Sequence, residues 1–459
     1  MDAGDNPALL DTTDRSYVLS GMPETAVLAA AGDRYLIQVA PRAWQPAETS
    51  RFAWSRASAP DWLIYRGKLV DGERLPGGGV LSLREPYSLA IDDAGRTLFL
   101  TTSDALLLLN RDERTGELSL DRSIAYSDSS GNSLSWLARA ALQWDSEQGL
   151  LYGFSDDRAA LFRLAGTGEG FAEKCAMEAA HGVDGHRIAR TLLVGNFLYL
   201  IGHYGGIAAY RIEGPCEFSL VQALSDRAQD HPLAERIEEL SGIVDAALGL
   251  DGNHVHVAQE RALATFGRNA QSGALRLTSV RREGDFADSS LRVEFPTNAS
   301  WVTSIAMDPS GSRLYVLGSR GPQTMVFDLR RAEAPSFLSY TSHFYVDWLG
   351  FQTHFDYPIT GWVHSPFPCT VSVPRGNHAV DVVCNDSAFV AKWDSATGGL
   401  VVSDWFSLSA PDRFGNEIPQ FGDAAQALQS PDGAHLYVIN ADWPFALLTF
   451  QRAGSIPLP

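Results

Sequence analysis

Three features of the sequence predict an all-β fold built from one repeated antiparallel module. A tight turn flanked by alternating apolar residues, and followed by an L-Y-V-like strand, returns along the whole chain. A second hairpin with a D-x-x-T-G-x-L turn follows it in the clearest copies. No copy carries the apolar period of a helix.

Taken in order, the first hairpins are TAVLAAAGDRYLIQV from Thr25, SLAIDDAGRTLFL from Ser88, ALQWDSEQGLLYG from Ala141 and TLLVGNFLYL from Thr191. DAALGLDGNHVHV from Asp245, SIAMDPSGSRLYVLG from Ser304, PCTVSVPRGNHAVDVVC from Pro368 and ALQSPDGAHLYV from Ala427 complete the series. Their equivalent slots are Tyr35, Phe99, Tyr152, Tyr199, His256, Tyr315, Asp381 and Tyr437, spaced 47 to 66 residues apart. The second hairpin is plainest in LLLLNRDERTGELSL, LATFGRNAQSGALRL and VAKWDSATGGLVV, where glycine supplies the positive φ of the turn.

Four short strands per unit, repeated without helices, predict a β-propeller of four-stranded antiparallel blades. Eight copies favour eight blades; seven is the alternative, because the unit from Thr25 to about Asp71 diverges most. The last copy stops after its third strand, and RSYVLSG (Arg15–Gly21) is a spare strand near the N-terminus. Pairing the two would close the ring and leave no open edge. Residues 1–459 then form a single domain, with 1–24 as the closing segment and 25–459 as blades.

The run D-P-S-G-x-x-L-Y-V, followed by F-x-R-(D/N)-x-x-(T/S)-G-x-L, resembles the repeat of lactonase-type β-propellers. That family includes 6-phosphogluconolactonases and carboxymuconate cyclases. The resemblance implies the propeller fold and, as one option, lactonase-like hydrolase or isomerase activity. The G-x-H-P-R-like segment usual in the family's enzymes is absent from this chain; VPRGNH in the cysteine hairpin places Pro-Arg inside a turn, and no catalytic residue transfers.

Net charge is −19, with 36 Lys and Arg against 55 Asp and Glu. A surface this acidic repels phosphate backbones and argues against nucleic-acid binding. The longest apolar runs, such as Leu106–Leu109, are strand-length, so no membrane span is expected. Cys369 and Cys384 flank the turn at Gly376–Asn377 and would meet across strands. That bridge would contribute about 3 kcal/mol. Cys175 and Cys216 could form a second bridge; four separate buried thiols are the alternative. Two disulfides imply a periplasmic or extracellular protein, with Met1 read as a start codon placed on a mature sequence.

Propeller ligands sit at the mouth of the central channel, lined by the loops entering each innermost strand and those joining second and third strands. The longest such loop, Leu338–Pro368, is rich in aromatics and carries Tyr345, Trp348 and Trp362. Such residues suit sugar rings or a protein partner, or a lid packed on itself. Tyr204, Asp442 and Trp443 fall on other mouth loops and join the ligand-binding candidates. His343, His354 and His364 raise a metal option (Ca, Cu or Zn) and with it a metal-dependent oxidoreductase, though their spacing matches no compact motif. His254, His256 and Glu260 share one strand face, where His256 reads as interblade packing. For the lactonase option, His203, Glu260 and Arg320 are the acid–base and oxyanion candidates. The sequence thus favours an exported propeller binding a small polar ligand, carbohydrate or protein at its funnel face.

Overall fold

The computed structural model describes residues 16–19, 26–31, 34–39, 50–53, 63–74, 80–126, 138, 140–155, 158–163, 171–177, 188–203, 205–226, 233–237, 240, 242–260, 262–282, 302–308, 310–318, 323–333, 335–346, 370–372, 379–384, 387–394, 399–407, 416, 418, 424–441, 443 and 445–452. Among these the fold is all-β, and no helix is long and apolar enough to cross a membrane.

Among the described residues the sheets contain seven runs of four antiparallel strands, here called meanders; a parallel pairing joins two of them into a nine-stranded sheet, and an added hairpin extends another to six strands. The first is Ser88–Ile91, Thr97–Thr101, Ala105–Arg111 and Leu118–Ala125, and the second is Ala141–Asp145, Leu150–Ser155, Arg158–Arg163 and Phe171–Met177. Ile188–Val194, Phe197–Gly202, Gly206–Gly214 and Glu217–Ser225 make the third; Ile243–Leu248, His254–Gln259, Ala262–Arg268 and Leu275–Arg282 make the fourth. The fifth comprises Val302–Met307, Arg313–Gly318, Gln323–Asp328 and Ser336–Val346. The sixth comprises Thr370–Ser372, Ala379–Cys384, Ser387–Asp394 and Gly399–Ser407. Ala424–Gln429, His435–Asn440 and Ala446–Arg452 form the seventh, completed by Leu63–Val70 from the other end of the chain.

Two expectations are corrected here. The spare strand does not close the last meander: Ser16–Leu19 pairs with Ser50–Ala53, and Leu63–Val70 takes the edge beside Ala446–Arg452. The divergent first unit forms no four-stranded sheet of its own among the described residues. Its hairpin, Ala26–Ala31 with Arg34–Val39, extends the outer edge of Ser336–Val346, and its last strand serves the seventh meander. Arg34–Val39 satisfies the open edge of Ser336–Val346, and Ala26–Ala31 becomes the new outermost strand of that sheet.

Apolar packing follows the meander order. Leu142 and Leu151 of the second meander bury against Phe99 and Leu108 of the first, and Val255 and Val257 of the fourth against Tyr199 of the third. Similar clusters join the second to the third, the fourth to the fifth, the fifth to the sixth and the sixth to the seventh. Tyr437, Ile439 and Leu447 of the seventh meander pack on Leu89, Leu98 and Leu100 of the first. The second-strand slots lie inside these contacts, with Phe99, Tyr152, Tyr199, His256, Asp381 and Tyr437 all 0% exposed.

The recurring F-x-R and L-Y-V motifs explain one another. Arg111, at the end of a third strand, donates from Nε to the Tyr437 hydroxyl of the neighbouring meander at 2.8 Å and from Nη1 to the Gly95 carbonyl at 2.8 Å. The Tyr437 hydroxyl in turn donates to the Gly116 carbonyl, in the D-x-x-T-G turn of the first meander. Arg268, Tyr199, Gly252 and Gly273 repeat the arrangement between the fourth and third meanders. A Cβ at Gly116 or Gly273 would collide with His435 or Phe197 across the seam, so these glycines serve close approach as well as positive φ. Arg452 instead meets Asp381 at 2.6 Å, a pair 5% and 0% exposed.

That buried pair gives a stability prediction. Arg452→Met should cost about 3–5 kcal/mol by leaving the Asp381 carboxylate unpaired, while Arg452→Met with Asp381→Leu should recover most of the loss. Urea unfolding of the three proteins checks this, and equal destabilisation by single and double variants would contradict it.

Candidate functional site

The candidate site is the mouth onto which the first strands open. Four first strands carry a β-bulge near their start, between Ile188 and Arg190, Ile243 and Asp245, Val302 and Ser304, and Ala424 and Gln426. A bulge re-aims the next side chain. By strand register Ser88, Ala141, Arg190, Asp245, Ser304, Thr370 and Gln426 are equivalent, each two residues before the partner of the second-strand slot.

Four of these positions tie one first strand to the next. Ser88 Oγ accepts from Leu142 N at 3.0 Å, Ser304 Oγ from Val371 N at 3.3 Å, and Gln426 Oε1 from Leu89 N at 2.7 Å. Asp245, 6% exposed, accepts from Ile305 N at 3.0 Å and from the Ser304 hydroxyl at 2.9 Å through Oδ2. Its Oδ1 accepts from Ala246 N at 2.8 Å and lies 3.8 Å from Arg190 Nε. Arginine has no acceptor to offer Ala246 N, so Asp245 caps that amide itself. The Tyr87 hydroxyl reaches past the second meander to the Ile188 carbonyl at 3.4 Å. Sequence reasoning missed Arg190, Asp245 and Tyr87 as mouth residues; the register of the repeat was the signal that could have found them.

The expected site residues divide sharply. His203 and Glu260 are described, on the second-to-third-strand turns of the third and fourth meanders. The Glu260 amide donates to the Gly242 carbonyl at 2.9 Å, and a Cβ on Gly242 would press on the Glu260 side chain at 3.2 Å. Trp443 lies on the corresponding turn of the seventh meander and is 77% exposed. Arg320, Tyr204, Asp442, Trp348, Trp362, His354 and His364 lie outside the described residues. His343 and Tyr345 are described as backbone alone, and their position corrects the expected loop: Leu338–Val346 belongs to Ser336–Val346, opposite Arg34–Val39.

Cys175 and Cys216 form the expected disulfide, joining the second meander to the third. In the cysteine hairpin Thr370 pairs with Val383, in the expected register; Cys369 and the Cys384 side chain lie outside the described residues. Among the described residues no group of three or more His, Cys, Asp or Glu could hold a metal ion.

The strongly shifted histidines lie in the seams. His256 is buried, its Nδ1 3.1 Å from the Thr265 hydroxyl, and desolvation, with a smaller contribution from His254, lowers its pKa to about 4. His435 Nδ1 accepts from Arg111 Nη2 at 2.7 Å; burial first and the guanidinium charge second lower its pKa to about 4. Both are neutral at physiological pH and serve packing, as the slot of His256 implied.

No protein-family model matches the chain, and no curated protein does. Solved structures do resemble it. A protein of Lactobacillus plantarum shares 16% identity over 75% of this chain and 89% of its own, at a TM-score of 0.51. The β-propeller domain of Myceliophteria thermophila Cps50 (Swd1) shares 11%, over 85% and 99%, at 0.50. A Bacteroides uniformis protein named provisionally as a 6-phosphogluconolactonase shares 14%, over 71% and 85%, at 0.48. The chain is a β-propeller. The likeness to structures bearing the lactonase name is one of fold alone.

The buried histidines set an acid limit. Their folded pKa of about 4 lies below the ordinary 6.5, so the unfolded chain binds protons first. The stability tied to their neutral forms is fully present above about pH 6.5 and falls as pH drops towards about 4, by up to ~3 kcal/mol per residue. His256→Gln should flatten part of this slope between pH 6.5 and 4.5. Thermal unfolding across that range checks it, and a variant as steep as the parent would contradict it.

Proposed function

We propose that the chain is a seven-bladed propeller, closed into a ring by Leu63–Val70, that is exported and binds a polar small molecule, carbohydrate or protein partner at its mouth. The observation that carries the binding reading is the division of labour there. Ser88, Asp245, Ser304 and Gln426 are engaged in holding first strands together, whereas Trp443 projects 77% exposed from a turn above them. A rigid rim bearing an exposed indole suits stacking and surface contact better than acid–base chemistry. The cluster joining the seventh meander to the first supports the closed ring, and Cys175–Cys216 supports export to an oxidising compartment.

A lactonase-like reading is second. His203 and Glu260 occupy matching turns of successive meanders, and Arg320 takes the matching place in the sequence of the fifth. Two measurements separate the readings. On a glycan array and in pull-downs, Trp443→Ala and the pair Trp348→Ala/Trp362→Ala should lose at least ten-fold in binding while a lactone panel shows no turnover above buffer. Unchanged binding by these variants overturns the first reading, and turnover abolished by His203→Ala or Glu260→Gln establishes the second.

A further inference from the structure

The seven seams are not equally held. Among the described residues, the residue two before a slot partner caps the next first strand at the mouth of four seams, and at the opposite end a third-strand arginine reaches the slot residue of the preceding meander in three. The seam between the seventh and first meanders has both clasps, through Gln426 and Arg111. Between the third and fourth, Arg190 pairs with Asp245 and Arg268 with Tyr199. Ser88 clasps the first to the second, Asp245 the fourth to the fifth, Ser304 the fifth to the sixth, and Arg452 the sixth to the seventh.

The seam between the second and third meanders can make neither clasp. Its mouth position is Ala141, which carries no acceptor. The position of Arg111, Arg268 and Arg452 is held by Ile212, whose amide bonds the Asn196 carbonyl just as the Arg268 amide bonds that of Asn253. Thr191, which faces this seam beside Ala141, is 6% exposed and its hydroxyl has no hydrogen-bond partner among the described residues.

What this seam has instead lies at its outer edge. Cys175, on the fourth strand of the second meander, is bonded to Cys216, on the turn between third and fourth strands of the third. Beside it Ala176 and Met177 pair in parallel with Glu217 and Phe218. Phe218 also packs edge-on against Tyr152 and Phe154. Cys216 is half-buried on the turn between the third and fourth strands, whereas Cys175 is fully buried.

We propose that the seam between the second and third meanders is a redox-controlled hinge of the ring. Oxidised, the Cys175–Cys216 bond substitutes for both missing clasps. A dithiol reductant attacks the Cys216 sulfur, the S–S bond breaks, and two electrons and two protons convert the bridge to two thiols while the reductant closes to its own cyclic disulfide. The seam then retains apolar packing and a two-residue parallel pairing. The second-to-third-strand turns flanking it, one following Leu150–Ser155 and the other bearing His203, belong to the mouth, so its opening changes the spacing of the mouth.

Amide hydrogen exchange of the full chain tests this. In the variant Cys175→Ser/Cys216→Ser, and in the parent titrated with dithiothreitol, amides of Phe171–Met177, Ile188–Val194 and Glu217–Ser225 should exchange at least ten-fold faster. Those of His254–Gln259 and His435–Asn440 should keep their protection. Ala141→Ser, which restores a hydroxyl where Ser88 and Ser304 carry theirs, should recover part of the protection in the reduced protein. A uniform increase, an earlier increase at another seam, or no change on reduction overturns the proposal. The variant leaves Cys369 and Cys384 intact, so a response to dithiothreitol that the variant does not reproduce counts equally against it. If the variant does not fold, the titration of the folded parent decides alone.

Discussion

The constraint on which the structure depends is that each sheet must meet the next in a single register. Apolar faces alone do not impose one, because the hydrophobic effect is non-directional and two stacked sheets can slide at little cost. Directional bonds at the two ends of a seam remove that freedom. At the mouth a first-strand side chain caps a backbone amide of the next first strand; at the far end an arginine grips the hydroxyl of a buried tyrosine and a turn carbonyl. Where a seam has both, as between the seventh and first meanders, the two fixed points set how one sheet lies on the other.

The clasps vary in chemistry while keeping their geometry. Tyr437 with Arg111 joins two groups that each find partners inside the protein, whereas Asp381 with Arg452 buries a full charge pair. Such a pair is strongly destabilising when half of it is removed, so its two residues are constrained together. Where the slot holds His256, the arginine position holds Leu329, and the histidine stays neutral in an apolar seam. Arg313 takes another route, stacking 4.4 Å over Trp393 of the next meander. In each case the residue across the seam is matched to its partner's charge.

Much of this was legible in the sequence because it is repeated. The L-Y-V and F-x-R segments, the turn glycines and the period of the hairpins identify strand order and propeller class without any long-range information. What they cannot carry is which edge a non-repeated strand will take. RSYVLSG and LIYRGKLV are both short strands near the N-terminus, and only the packing of Leu63 and Tyr65 against the sixth and seventh meanders distinguishes them. The same limit explains Leu338–Val346: its aromatics read as a loop, while its backbone continues a strand and receives Arg34–Val39 on its outer edge. Cys175 and Cys216 lie 41 residues apart on different meanders, and register alone brings their Cα atoms to 4.8 Å. His203 and Glu260 were legible as mouth residues for a simpler reason, since any turn between second and third strands must face that side.

The mouth therefore has two layers with different duties. Its inner layer comprises bulged positions such as Asp245, whose oxygens face two amides, a hydroxyl and a guanidinium. A carboxylate so engaged holds first strands in place, with its acceptor sites taken up by the protein itself. The outer layer comprises the turns between second and third strands, which carry Trp443, His203 and Glu260. A scaffold whose rigid part is saturated and whose variable part sits on loops separates stability from recognition. That separation explains how one repeat, retained for packing, can carry a rim whose chemistry the packing does not dictate.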